Sequence, residues 1–232
     1  MENPQRLVAF ILDLRKTILR LALALTGCFL FLYLLSPHLL FYIQLHLHQR
    51  LAFFTVAEPF LAHVKLAFFT ALFCLMPGIV YCFWQAMVKP FKLTNRARNG
   101  FILFACALFY GGAAFCYFIT LPFGIDFLLG YQTEQLKPVI SVGKFVTFTS
   151  LFILGFGLIF ELPIFMVFSA RAGLISRVTF EKNRRYALLI ISIVAALLTP
   201  TPDIINMALM GVPLYLLYEA GIVVLKIIDR PA

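Results

Sequence analysis

Long apolar runs alternate with short polar and charged segments along this chain. A helix needs about 20 apolar residues to cross the hydrocarbon core of a bilayer, and most of the runs approach or exceed that length. The pattern predicts an all-α polytopic membrane protein with six spans in a single domain over residues 1–232. The predicted spans cover approximately residues 18–35, 66–88, 101–123, 145–170, 186–198 and 204–225.

Proline marks several of the predicted span ends, because it lacks an N–H and biases the preceding residue away from the helical conformation. We expect Pro37 to close the first span and Pro122 the third. The fifth span, residues 186–198, reaches only about 20 Å, and residues 204–218 of the sixth are also short against a core of about 30 Å. Such a short final hairpin either thins the bilayer, which suits a transporter of large cargo, or is a mismatch without function.

The composition supports a membrane protein. Hydrophobic residues make up 62% of the chain and charged residues 12%, whereas soluble domains carry about 45–50% and about 25%. A soluble fold, a disordered chain, a nucleic-acid-binding domain and a disulfide scaffold are therefore excluded. The five cysteines all fall inside apolar runs without Cys-x-x-Cys spacing, which is typical of free thiols packed between helices.

The basic residues predict the orientation. Fifteen of the nineteen Lys and Arg residues lie in the N-terminal segment, the second-to-third and fourth-to-fifth connections and the C-terminal tail. Only Arg50, Lys65, Lys137 and Lys144 fall on the opposite side. Because Lys and Arg accumulate in cytoplasmic loops, both termini are predicted to be cytoplasmic.

One acid interrupts the fourth apolar run. Glu161 precedes Pro163 by two residues, and a carboxylate at membrane depth normally faces a bundle interior or a wet cavity. Pro163 frees the carbonyl four residues before it, so a kink is expected there. We interpret Glu161 and Pro163 as an intramembrane polar site that receives a substrate or partner helix. The alternative is a neutral acid bonded to a neighbouring helix.

Catalytic and cofactor motifs are missing from the sequence. It contains no P-loop, no Gly-x-Ser-x-Gly and no His-Glu-x-x-His. His46 and His48 lack further ligands at a useful spacing, so we interpret them as solvated loop residues rather than a metal site. We therefore predict no enzyme activity, no cofactor and no metal.

Several short motifs follow one another along the chain. They are Leu12–Lys16 at the N-terminus, Thr55–Phe60 followed by Lys65, Pro77–Tyr81 with Trp84, Phe115–Pro122, Phe156–Pro163, and Leu198–Pro200, Pro202-Asp203, Pro213 and Leu217–Glu219 in the final hairpin. In this order, and over nearly the whole chain, they resemble the TatC family, the receptor subunit of the twin-arginine protein translocase. Each motif alone is weak evidence. Their order and the six-span topology together make the resemblance specific.

The resemblance implies a cup-shaped six-helix bundle that binds the twin-arginine signal peptides of folded precursors. TatA- and TatB-like single-span partners then join it, the proton-motive force drives export, and the receptor self-associates in a larger complex. Its setting is the lipid of the bacterial cytoplasmic (inner) membrane, with a thylakoid-type membrane as the alternative. The exterior loop with Glu58, Pro59 and Phe60 has a structural or functional role. We expect partner helices to dock at the final hairpin, at Thr199, Pro200, Asn206 and Met207.

The chain departs from the family at the site for the arginine pair. The family uses two cytoplasmic acids, one in the N-terminal motif and one in the loop after the second span. Asp13 stands at the first position, beside Arg15, but the loop over residues 90–98 contains no acid. We expect Asp13 and Arg15 to contribute to signal-peptide binding, and either Glu181 or a partner subunit to supply the second carboxylate.

Two other functions compete with this interpretation. A small secondary transporter or channel would use Glu161 as a proton or ion site, although the two halves show no inverted repeat. A structural scaffold that has lost peptide binding would explain the missing loop acid.

Overall fold

Helices account for nearly all of the backbone in the computed structural model. The structure describes residues 4–47, 51–91, 94–130, 139–198 and 204–228. Side chains are described from Ile18 onward within these ranges, apart from residues 88–91, 128, 197–198, 205–206 and 209. The predicted all-α class is confirmed for this part of the chain, with two short strands as the exception.

The elements follow one another along the chain in this order: α1 (Pro4–His46), β1 (Leu51–Ala52), α2 (Glu58–Phe91), α3 (Asn95–Phe115), a π-helical turn (Cys116–Thr120), α4 (Leu121–Leu129), β2 (Ile140–Ser141), α5 (Val142–Phe160), α6 (Leu162–Arg171), α7 (Arg177–Lys182), α8 (Arg184–Leu198) and α9 (Ile204–Ile228).

Five helical segments are long and apolar enough to cross a membrane. They are Ile18–His46, Glu58–Met87, Asn95–Phe127, Val142–Arg171 and Met210–Ile228. Large apolar side chains on the first of these are open to the surroundings, and Leu23 and Leu34 are 74% and 75% exposed. Such an apolar exterior is stable only in lipid. The chain is therefore a polytopic membrane protein.

The first span does not end at Pro37 as expected, because α1 continues to His46. Proline at position 37 cannot donate to the carbonyl of Tyr33, four residues earlier. The Ser36 hydroxyl donates to that carbonyl instead, at 2.7 Å. The serine hydroxyl thereby satisfies the carbonyl that Pro37 leaves without a donor, and α1 continues past Pro37.

The third span also runs past its expected end. A π-helical turn lies just before Pro122, and its last hydrogen bond runs from the Leu121 N–H to the Cys116 carbonyl. A π turn shifts the hydrogen-bond partners by one residue, so it accommodates a residue that lacks a donor. The helical run therefore continues through α4 to Leu129.

The fourth span is interrupted where the sequence predicted. Glu161 lies between α5 and α6 and is the N-cap of α6, with Pro163 in the first turn of that helix. The Glu161 N–H donates to the Leu158 carbonyl at 3.2 Å, in the tighter i to i−3 pattern. The predicted interruption at Pro163 is confirmed.

The last two helices differ in length. The helix α8 has 15 residues, about 22 Å, which confirms the expectation of a short helix. The expectation of a short sixth helix is wrong, because α9 has 25 residues, about 37 Å. Glu219 does not end α9, since Arg184 and Tyr215 bind its carboxylate.

Two compact units make up the chain. The first comprises Met1–Cys106 with Val139–Ser150. Within it β1 pairs in parallel with β2, with Leu51 opposite Ile140 and Ala52 opposite Ser141. Beside this pair a small core forms from buried residues of α2 and α5 with apolar residues of α1; its buried members are Ala62, Leu66, Val142 and Val146.

The second unit comprises Ala107–Pro138 with Leu151–Ala232. Within it α6, α7 and α8 each pack against α9. Gly173, with a φ of 71°, lies just after α6, in a left-handed conformation that favours glycine. Ser176 then caps α7, because its hydroxyl accepts from the Thr179 N–H at 3.3 Å. The single domain over residues 1–232 stays a prediction.

Candidate functional site

The exterior-loop acid Glu58 is the first residue of α2 and binds three donors. Its Oε2 accepts from the Phe54 N–H at 2.8 Å. Its Oε1 accepts from the Gly143 N–H at 3.0 Å and from the Ser141 hydroxyl. The carboxylate thus ties the loop before α2 to the start of α5, which lies more than 80 residues away in sequence. These hydrogen bonds indicate that Glu58 stabilises the contact between the two segments.

Pro59 and Phe60 follow Glu58 in the first turn of α2. Proline suits that position because the first N–H groups of a helix have no partner inside the helix. Phe60 is 58% exposed and meets the Tyr33 ring edge-on at 6.4 Å. The hydrogen bonds of Glu58 supply a physical basis for the structural or functional role that the resemblance implies for this segment.

The intramembrane acid Glu161 is in a different situation. It is only 5% exposed, and its Oε1 has no hydrogen-bond partner among the described residues. Its backbone is fully used, since its carbonyl accepts from the N–H groups of Ile164 and Phe165. A buried polar atom without a partner costs about 1–3 kcal/mol. The interpretation of Glu161 as an acid already bonded to a neighbouring helix therefore lacks support at this oxygen.

Close helix contacts hold the residues next to Glu161 in place. A Cβ on Gly221 of α9 would lie 3.3 Å from the Cα of Pro163 and 2.7 Å from the sulfur of Met166. On the other side of the interruption, a Cβ on Gly112 would lie 2.5 Å from the Phe160 ring. Only glycine permits these approaches without a shift of the neighbours. Glu161 therefore lies between two close helix contacts of the second unit.

The predicted arginine contact Glu181 is located in α7 and is 26% exposed. Its Oε1 is 3.1 Å from Arg177 Nε and 3.5 Å from Lys226 Nζ. Neither the Arg177 Nε nor this oxygen has a hydrogen bond of good geometry, so the contact is an ion pair only. Glu181 attracts cations and retains unused hydrogen-bonding capacity.

Glu219 in α9 gives a useful contrast. Arg184 binds it in a two-pronged arrangement, with Nε 2.9 Å from Oε1 and Nη2 3.0 Å from Oε2. The Tyr215 hydroxyl also donates to Oε1 at 3.0 Å. Both oxygens of the Glu219 carboxylate accept hydrogen bonds from the chain, whereas the Glu181 Oε1 accepts none from the described residues. Glu181 is therefore the acid with more capacity to accept from a donor outside the chain.

The remaining predicted site residues are only partly described. Asp13 and Arg15 lie in α1, before the first residue whose side chain is described. Thr199 and Pro200 lie outside the described residues, as does the side chain of Asn206 in α9. Met207 is half-buried in α9. The structure therefore does not test whether Asp13 and Glu181 come together, and the docking role of the hairpin stays a prediction.

Some partners were not predicted from the sequence. The pair Arg177 and Glu181 is readable from its i, i+4 spacing within a helix. Ser141 is recognisable as a helix N-cap, since its hydroxyl accepts from the Lys144 N–H at 3.3 Å. Its bond to Glu58 has no local sequence signal, because it joins residues 83 positions apart.

In the part of the chain that the structure describes, no three residues among His, Cys, Asp and Glu form a group able to hold a metal ion. Among the described acids, Glu58 joins two segments through its hydrogen bonds, Glu161 is buried with an unpartnered Oε1, and Glu181 and Glu219 each form an ion pair. Together with the five candidate spans, this defines a polytopic helical membrane protein.

Comparison with known proteins gives the family. The family model for the Sec-independent protein translocase protein (TatC) matches residues 9–213. The chain belongs to the TatC family. TatC is a component of a protein translocase and not an enzyme, so the prediction of no enzyme activity is confirmed by membership in this family.

Relatives from several bacteria are similar to the chain. The TatC of Carboxydothermus hydrogenoformans is 36% identical over 78% of this chain and 75% of its own length. That of Koribacter versatilis is 35% identical over 76% of this chain, and the match spans 65% of the Koribacter protein. TatCy of Bacillus subtilis is 29% identical, but over 99% of this chain and 92% of that protein.

The fold is similar to solved structures of the same family. Two crystal structures of the twin-arginine translocase receptor TatC align with a TM-score of 0.81 at 26% identity. One alignment covers 93% of this chain and 98% of the other, and the second covers 95% and 100%. The family resemblance predicted from the sequence motifs is confirmed.

Proposed function

We propose that the chain is the signal-peptide receptor of a twin-arginine translocase. In this proposal it forms a cup-shaped bundle of six spans with both termini in the cytoplasm, in the inner membrane of a bacterium. It binds twin-arginine signal peptides of folded precursors, associates with TatA- and TatB-like partners and with further copies of itself, and exports cargo with the proton-motive force. Membership in the family favours this function over the secondary transporter or channel.

The observation that carries the proposal is the ion pairing of Glu181. Its carboxylate already attracts two cationic side chains without a hydrogen bond of good geometry to Arg177. A peptide arginine presents a planar fork of donors that matches a carboxylate, which a lysine ammonium does not. An incoming arginine therefore gains by displacing Lys226, the more distant of the two cations.

Asp13 supplies the first carboxylate in this proposal. It stands in the N-terminal motif that resembles the family, followed two residues later by Arg15. A charged hydrogen bond is worth about 1.5–3 kcal/mol, so the loss of either acid is expected to weaken peptide binding by roughly tenfold or more.

The test measures the affinity of a twin-arginine peptide for the purified full chain and for two variants, Asp13→Ala and Glu181→Gln. Asp126→Asn is the matched control, because Asp126 is an exposed acid of α4 outside the proposed site. We expect each of the first two variants to bind roughly tenfold more weakly, and the control to bind as the wild type does. Unchanged affinity in Asp13→Ala would contradict the proposal.

The second part of the proposal is that Glu161 receives a polar group from a partner or substrate helix. Support comes from its burial and from the unpartnered Oε1. Intramembrane ionisable groups are costly and normally face a partner or a pathway. The partner helix is proposed to dock near Thr199, Pro200, Asn206 and Met207. Cysteine crosslinking that never captures a partner helix along residues 199–207 would count against this docking surface.

A further inference from the structure

Lys65 lies at the boundary of two neighbouring cavities in the first unit. The larger, about 740 Å³, is lined by polar residues and by Phe54, Leu61 and Phe148. The smaller, about 360 Å³, is a groove between α1 and α2. Lys65 lines both. Each volume falls within the ~300–1,000 Å³ typical of small-molecule sites.

The smaller groove is apolar apart from the lysine. Leu25 and Phe29 of α1 and Phe68 and Phe69 of α2 form most of its surface. Thr26 also lines it, but its hydroxyl donates to the Ala22 carbonyl of its own helix at 2.9 Å. The lining of the groove is thus mainly apolar apart from the Lys65 ammonium, and it suits a hydrocarbon chain.

The larger cavity carries an excess of positive charge. Lys65 Nζ donates one hydrogen bond, to the Thr147 hydroxyl at 3.2 Å. Lys144 lies three residues before Thr147, on the same face of α5, and both lysines are exposed. Neither lysine forms an ion pair with an acid in the described parts of the chain.

Glu58 does not neutralise this pair of cations by direct contact. Both of its oxygens are engaged, with the Phe54 N–H, the Gly143 N–H and the Ser141 hydroxyl. The two ammonium groups therefore retain donors for an anion from outside the chain, and phosphate accepts such donors well.

We propose that this double cavity binds one anionic phospholipid. The phosphate lies against Lys65, Lys144 and the Thr147 hydroxyl, and an acyl chain lies in the groove between α1 and α2. Lys65 at the junction contacts the headgroup while its own methylene stem lines the apolar groove, as long basic side chains do at membrane interfaces. Glu181 is not among the described residues that line either cavity.

The test uses the full chain purified in a neutral detergent and titrated with dioleoylphosphatidylglycerol, with binding followed by native mass spectrometry. We expect Lys65→Ala combined with Lys144→Ala to weaken binding by about tenfold, equivalent to about 1.4 kcal/mol. Lys182→Ala is the matched control, since Lys182 is exposed but lies in α7, outside the cavities. An equal loss in the control, or no loss in the double variant, overturns the proposal.

Two further arms distinguish a lipid site from a site for free phosphate. Glycerophosphoglycerol carries the same phosphodiester without acyl chains, and we expect it to bind at least about tenfold more weakly than the lipid. Val64→Trp fills the apolar groove and is expected to weaken the binding of the lipid but not of glycerophosphoglycerol. Equal binding of glycerophosphoglycerol, or lipid binding unaffected by Val64→Trp, overturns the lipid assignment. Lys65→Arg combined with Lys144→Arg keeps both charges, so lipid binding should stay near the wild-type value, and a tenfold loss in this variant would contradict the role of the two charges.

Discussion

Two carboxylates on the membrane helices of this chain have opposite surroundings. Glu58 accepts from two backbone N–H groups and one hydroxyl, all within its own unit. Glu161 is more deeply buried, at 5% exposure, and its Oε1 accepts from nothing in the described part of the chain. Both residues stand in motifs that resemble the same family, so the motif alone does not distinguish their roles.

The difference lies in where each acid obtains its donors. The donors for Glu58 come from the chain itself, and a carboxylate that is satisfied internally stabilises the fold. No donor to the Glu161 Oε1 lies in the described part of the chain, and we propose that another molecule supplies one. Substitutions at the two positions should therefore separate stability from transport.

The largest effect is expected at Glu161. Glu161→Leu removes a polar group with an unsatisfied atom, so stability should be unchanged or higher, as is common when buried polar groups are replaced by apolar ones. Transport should fall at least about tenfold, because the partner loses a charged hydrogen bond of about 1.5–3 kcal/mol. Transport is measured as the export of a twin-arginine precursor by vesicles, and stability as the Tm of the purified chain.

Glu161→Gln is the matched control for that experiment. Its amide keeps hydrogen-bonding capacity in the same volume, so transport should be intermediate between the wild type and Glu161→Leu. A fall in Tm together with full transport in Glu161→Leu would show that Glu161 is a structural acid after all.

Glu58 should give the reverse pattern. Glu58→Ala leaves the N–H groups of Phe54 and Gly143 and the Ser141 hydroxyl without their acceptor, so the Tm should drop clearly. Transport per folded molecule should stay near the wild-type value. Glu58→Gln retains one acceptor oxygen and should lose less stability than Glu58→Ala. A normal Tm in Glu58→Ala would remove the distinction between the two carboxylates.

The surroundings of Glu181 are intermediate between those of Glu58 and Glu161, because it has cationic neighbours and an oxygen without a hydrogen bond from the described residues. The smallest effect, on the affinity for a peptide, is expected there. Lys226→Met removes one of the two cations near its carboxylate. Since a solvent-accessible ion pair is worth about 0.2–1 kcal/mol, the affinity for a twin-arginine peptide should rise by roughly 1.4- to fivefold. Peptide titration against the wild type and against Lys182→Met, a lysine of the same helix as Glu181, measures this change. Weaker binding in Lys226→Met would mean that the ammonium assists recognition.

The sequence predicted the helical class, the short α8 and the interruption before Pro163, because apolar length and the missing proline donor are local properties. It misplaced the ends at Pro37 and Pro122, since the Ser36 hydroxyl and a π-helical turn repair the hydrogen bonding around each proline. The sequence also predicted a short final helix, because the apolar run over residues 204–218 is interrupted by the charged residue Glu219.

The sequence identified most of the acidic residues of the candidate site, but it did not identify most of the residues that bind them. Glu161 stands out as a lone acid in an apolar run, and Arg177 with Glu181 fits a helical spacing. The bonds from Ser141 and Gly143 to Glu58 and the binding of Glu219 by Arg184 join segments that are 35 or more residues apart. Such contacts depend on tertiary packing, which hydrophobic periodicity does not specify.

The proposed role as a receptor is tested most directly by a comparison of two peptides on the wild-type chain. One peptide carries the arginine pair, and the other carries two lysines at the same positions. Because only the guanidinium forms a planar two-pronged bond with a carboxylate, the twin-arginine peptide should bind at least about tenfold more tightly. Equal affinity for the two peptides would contradict the proposed recognition by Asp13 and Glu181.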